Sequence, residues 1–73
     1  MKLYTIKDEL IGFQGVMEEV SDETAIRRFK SVMNSATFED HKSDYQLYRI
    51  GSFNEETGEI TPEHDYIIGG KDV

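Results

Sequence analysis

The sequence predicts an α+β domain: a small, mostly antiparallel sheet with one amphipathic helix packed on one face. Three observations carry this expectation. One stretch has clear helical periodicity, strand-like alternation lies on both sides of it, and the order of elements is not the βαβα of a parallel sheet. The chain has 73 residues, enough for a single small domain spanning 1–73. A chain of this size buries only about 60% of the surface that its unfolded form exposes. With no cysteine, it has no disulfide or Cys-rich metal site to supplement the core. Marginal stability, or help from a partner chain, is expected. At 37% hydrophobic and 11% aromatic residues, it is apolar enough to fold rather than remain disordered.

Lys2 to Lys7 alternates Tyr4 and Ile6 with Leu3 and Thr5, a strand pattern rich in aromatic and β-branched residues. Leu10 to Val20 has apolar residues that could be placed on a helical stripe, but Gly12 and Gly15 weaken a helix interior. A loop followed by a short strand near Val16 to Glu19 is the better expectation. The helix is predicted over about 22 to 35, where Ala25, Ile26, Phe29, Val32, Met33 and Ala36 recur at i, i+3, i+4 and i+7. Ser21 or Asp22 supplies its N-cap, and Asp22 and Glu23 place negative charge where the helix dipole favours it. Its polar side carries Arg27, Arg28, Lys30, Ser31 and Asn34. A polar loop follows, Thr37 to Ser43. Asp44 to Phe53 is predicted as a strand with Tyr48 and Ile50 on one face and Tyr45 and Leu47 on the other. Asn54 to Gly58 reads as a hairpin loop, with Gly58 suited to positive φ. Glu59 to Thr61 returns as its partner strand, ended or marked as an edge by Pro62. Tyr66 to Ile68 is a last short strand, and residues 68–73 are expected to trail as a flexible tail.

Three stretches resemble the small nonstructural protein, labelled the fifth open reading frame or VP5, of gokushovirus-type microviruses, which are small single-stranded DNA bacteriophages. They are Met1-Lys2-Leu3-Tyr4-Thr5-Ile6; Ala25-x-Arg27-x-Phe29; and Asp44-Tyr45-x-Leu47-Tyr48-x-Ile50-Gly51-x-Phe53-Asn54 with Thr57-Gly58-x-Ile60. The match runs from residue 1 to about 62. The resemblance implies a phage protein absent from the mature capsid. By analogy with a small protein of other microviruses, it implies a role in the shift from duplex replication to single-strand synthesis and packaging. It brings no catalytic motif.

The residues themselves argue against an enzyme and against any cofactor. The two histidines, His41 and His64, sit in separate acidic runs, so no metal cluster is expected. Neither a nucleophile elbow nor a phosphate-binding loop is present. No apolar run approaches the roughly 20 residues of a membrane span. The start lacks the apolar core of a signal peptide, and a host-cytoplasmic location is expected.

Binding is the remaining class. The net charge is −7, divided as −2 over residues 1–20, 0 over 21–42 and −5 over 43–73, so the acidity lies towards the C-terminal part. Such a chain is a poor general coat for DNA. Protein–protein contact with phage or host replication or packaging proteins is therefore the first expectation, with a homodimer as one form of it. Direct binding of single-stranded DNA is the alternative, through Arg27, Arg28 and Lys30 on the helix with Tyr45 stacking on a base.

Overall fold

In the computed structural model, residues 1–73 form a four-stranded antiparallel sheet crossed on one side by a single helix. The strands are β1 (Lys2–Asp8), β2 (Gly12–Glu19), β3 (Tyr45–Phe53) and β4 (Ile60–Gly69), and the helix is α1 (Asp22–Met33). Their spatial order is β2-β1-β3-β4. Both β2 and β3 run antiparallel to β1, so they are parallel to each other, and α1 makes the crossover between them.

Antiparallel pairing places alternate residues of β1 on opposite faces. Tyr4 and Ile6 turn towards the helix, and Tyr4 is fully buried with Ala25, Phe29, Met33 and Leu47. These five residues are the core, surrounded by half-buried Met17, Ile26, Val32, Phe38, Tyr45, Ile67 and Ile68. The helical stripe thus packs as its periodicity predicts. Ser21 caps α1 in a capping box with Thr24: its side chain accepts from the Thr24 N–H, and the Thr24 hydroxyl accepts from the Ser21 N–H. The helix ends at Met33, before Ala36, which is exposed.

Four segments differ from the sequence expectation. Strand β2 starts at Gly12 rather than near Val16, because its glycines serve the strand. Gly15, at φ 66°, lies where the β1–β2 register shifts between Tyr4 and Ile6, the conformation that a bulge demands and glycine adopts freely. The Thr5 hydroxyl donates to the Gly15 carbonyl at 2.6 Å and fixes that bulge. Strand β4 is one continuous element through Pro62 rather than two short ones, since an edge strand needs only half its backbone groups paired. Within the expected polar loop, Glu39–Asp44 coils into 3-10 turns.

The final residues, expected as a flexible tail, lie against that coil. Gly69 and Gly70 are buried, Gly70–Asp72 forms a 3-10 turn, and the Lys42 Nζ donates to the Val73 carbonyl at 3.0 Å. Only glycine fits at position 70, where a Cβ would collide with the Lys42 carbonyl. The hairpin loop forms as predicted: the Asn54 Oδ1 accepts from the N–H groups of Glu56 and Thr57, and Gly58 has φ 77°.

Candidate binding surface

One helix covers one face of the sheet and nothing covers the other. On the open face the strand alternation gathers an aromatic group from three strands. The Phe13 ring lies 5.2 Å from that of Tyr48 and 5.7 Å from that of His64, and Tyr48 lies 5.1 Å from His64 and 5.8 Å from Tyr66, centroid to centroid. Phe13–Tyr48 and Tyr48–Tyr66 meet edge to face, the arrangement that ring quadrupoles favour. Phe13 is 49% exposed and Tyr66 50%. Beside them, Thr5, Val16 and Ile50 line a shallow depression with Phe13 and His64. The Lys7 ammonium stands 5.7 Å from the Phe13 ring centroid, within cation–π range.

The acidity of the C-terminal part is turned elsewhere. On the helix side, the Arg49 guanidinium donates to Asp22 Oδ2 at 2.6 Å, Glu63 Oε1 at 2.9 Å and Asp65 Oδ2 at 3.1 Å. Glu63 also accepts from the Ser52 hydroxyl, and Asp22 accepts from the Tyr4 hydroxyl. The hydrogen bond from Tyr4, reinforced by Arg49, holds the Asp22 carboxyl below its ordinary pKa. Arg49 and then Ser52 do the same for Glu63. Burial, then the bond to Asp22, pushes the Tyr4 hydroxyl well up. Three carboxylates are thereby committed to one guanidinium, while Glu55, Glu56 and Glu59 sit in or beside the β3–β4 hairpin loop. The rings of Phe13, Tyr48, His64 and Tyr66 lie outside this network, with Glu9 near Tyr48 and Tyr66.

The residues singled out from the sequence fall on the other side. Arg27 and Lys30 are exposed on α1 and join no ion pair, whereas Arg28 pairs with Glu19 at 2.9 Å. Tyr45 is half-buried on the helix side, edge-on to Phe38 at 5.1 Å between ring centroids. Burial, with Asp8 and Asp44 adding to it, pushes its hydroxyl pKa up. Its ring belongs to the packing and is not presented for stacking with the helix cations. The tyrosines that are presented are Tyr48 and Tyr66. The alternation of β3 already separated Tyr48 from Tyr45, but Phe13 was hidden by reading its segment as a loop, and His64 by ending the partner strand at Pro62.

No group of three or more His, Cys, Asp or Glu side chains is placed to hold a metal ion, and no helix is long and apolar enough to cross a membrane. The molecule is an α+β domain with a covered sheet face and an open, aromatic one. The chain belongs to the Phage ORF5 protein family, whose profile matches residues 1–73. That membership makes it a bacteriophage protein. No curated protein and no solved structure matches it.

Proposed function

We propose that this chain is a non-enzymatic, nonstructural microvirus protein of the gokushovirus type. It acts in the host cytoplasm by protein–protein contact during genome replication or single-strand DNA synthesis and packaging. Its docking surface is the open sheet face, and the occupant is a segment of a basic phage or host protein. The observation that carries this reading is the uncovered group Phe13, Tyr48, His64 and Tyr66, large rings that a domain with only five fully buried core side chains leaves in water. Exposed apolar surface rimmed by polar groups marks interaction sites. A net charge of −7 attracts cationic partners and repels phosphate. The sequence resemblance supports the viral setting.

A second reading, direct binding of single-stranded DNA, is favoured by the same rings with Lys7 beside them, since aromatic side chains on a sheet stack on unpaired bases. Affinity capture from infected cells, with and without nuclease, separates the two when the parent is compared with Phe13→Ser and Tyr66→Ser. Both positions are about half exposed, so the variants keep the fold. The expected result is nuclease-resistant capture of basic proteins that both variants lose. Disappearance of every partner on nuclease treatment, together with direct oligonucleotide binding by the purified parent, establishes the second reading instead. Changing Arg27, Arg28 and Lys30 to Gln tests the helix contribution: DNA held across the helix face would lose most of its salt dependence, whereas DNA stacked on the rings beside Lys7 would keep it.

A further inference from the structure

Besides its rings, the open face carries two charged side chains on its strands, one of each sign and at opposite ends. Residues paired directly across two strands share a face. Lys7 is paired with Phe13, and Leu3 with Glu18. Lys7 therefore stands beside the Phe13 ring near the β1–β2 turn, and Glu18 stands at the far end of β2. Glu19, the next residue, turns the other way and meets Arg28 of the helix. Between the two charges, Val16 is exposed and lines the shallow depression with Phe13, Ile50 and His64. Glu9 and Lys71, again of opposite sign, border the face together.

We infer that, until the basic partner arrives, a second copy of the chain covers this face, the two sheets packing face to face about a two-fold axis that runs across the strands. Such an axis reverses the strand direction and keeps β2 over β2. Placed over Gly15 and Val16, halfway between Phe13 and Glu18, it sets Phe13 of each copy opposite Glu18 of the other. Lys7, beside Phe13, then pairs with that carboxylate, and the symmetry makes the pair twice, with Val16 against Val16 at the centre. Packed sheets stand about 10 Å apart, a gap that a lysine and a glutamate side chain span together. An axis along the strands would instead lay β1 over β3, bring Lys7 to the level of Gln46 and leave both charges unpaired. Four strands of 7–10 residues, at about 3.3 Å per residue and about 4.8 Å between strands, present about 500 Å². Two such faces bury about 1,000 Å², where specific but transient interfaces lie, and a cover of that strength is one that a partner can displace. The repulsion of two chains of −7 acts at longer range and is screened by salt before these contact pairs are. The inference concerns the docking face of the protein-binding reading and is tested on the purified chain alone.

The test is sedimentation equilibrium of the full 73-residue chain, from micromolar to millimolar, on the parent, Lys7→Glu, Glu18→Lys and the chain carrying both changes. Each single change sets like charges against each other at two places and should weaken dimerisation by about tenfold. The double change rebuilds both pairs with their signs exchanged and keeps the net charge at −7, so the parent's affinity should return. An equimolar mixture of the two single variants should recover as well, through pairs that form only between copies. Glu18→Lys makes the chain less negative, so general repulsion alone would have it associate more tightly than the parent. Glu18 is exposed, and its variant decides the matter even where Lys7→Glu perturbs folding. A monomer at every concentration, a Glu18→Lys chain that associates as tightly as the parent, or a folded double variant without recovery overturns the inference. A monomeric chain that still captures basic proteins through Phe13 and Tyr66 refutes it and leaves the docking surface standing. A chain that dimerises as described and captures none supports it and removes the docking reading instead.

Discussion

Arg49 shows what a single residue organises here. Its three nitrogens address carboxylates from α1 and β4, so one side chain both ties the helix to the sheet and neutralises acids that would otherwise oppose one another. The pH dependence follows from those partners. The folded-state pKa values of Asp22 and Glu63 lie below their ordinary values of 3.8 and 4.5. Their stabilisation is therefore present above about pH 4–5 and is lost as pH falls through the lowered folded values. Arg49→Ala should lower the urea midpoint clearly at pH 7 and less at pH 3, where the parent has begun to lose the same interactions. Urea unfolding at the two pH values checks this, and an equal loss at both would mean that Arg49 acts through packing alone.

At the scale of elements, legibility followed the strength of each local signal. The helix and the β3–β4 hairpin were readable because a stripe containing Ala25, Phe29 and Met33 and a turn from Asn54 to Gly58 each admit one interpretation. Strand β2 was only half readable. Gly12 and Gly15 are penalised in a regular helix or strand, yet a bulge requires the positive φ that they supply, and sequence alone does not say that Thr5 waits opposite to fix it. The candidate surface inherited that ambiguity: Tyr48 was placed on the correct face, while Phe13 and His64 required the full lengths of β2 and β4. Gly15→Ala should cost about 1–2 kcal/mol through backbone strain. The site is open, with nothing within 4 Å of an added Cβ, so no steric clash contributes. Calorimetric melting of the variant measures it, and an unchanged melt would show that the bulge relaxes.

For the molecule as a whole, the division of charge and apolar surface between the two sides of the sheet governs association. Two copies carry −7 each and repel when unscreened. Self-association through the aromatic face, the homodimer expected from the small core, should therefore strengthen as salt is raised, whereas phosphate binding would weaken. Sedimentation over a wide concentration range at low and high salt reads the sign, and Phe13→Ser should abolish the high-salt dimer. The Arg49 junction also has a kinetic meaning. It joins residues 22, 49, 63 and 65, so it completes only after the crossover and the last strand are in place, and contacts of such sequence separation make folding slow for a chain this short. An interaction formed after the transition state affects escape from the native state rather than arrival in it. Stopped-flow measurements on Arg49→Ala should show a steeper loss of native lifetime, with the refolding rate nearly that of the parent, making this side chain a brake on unfolding.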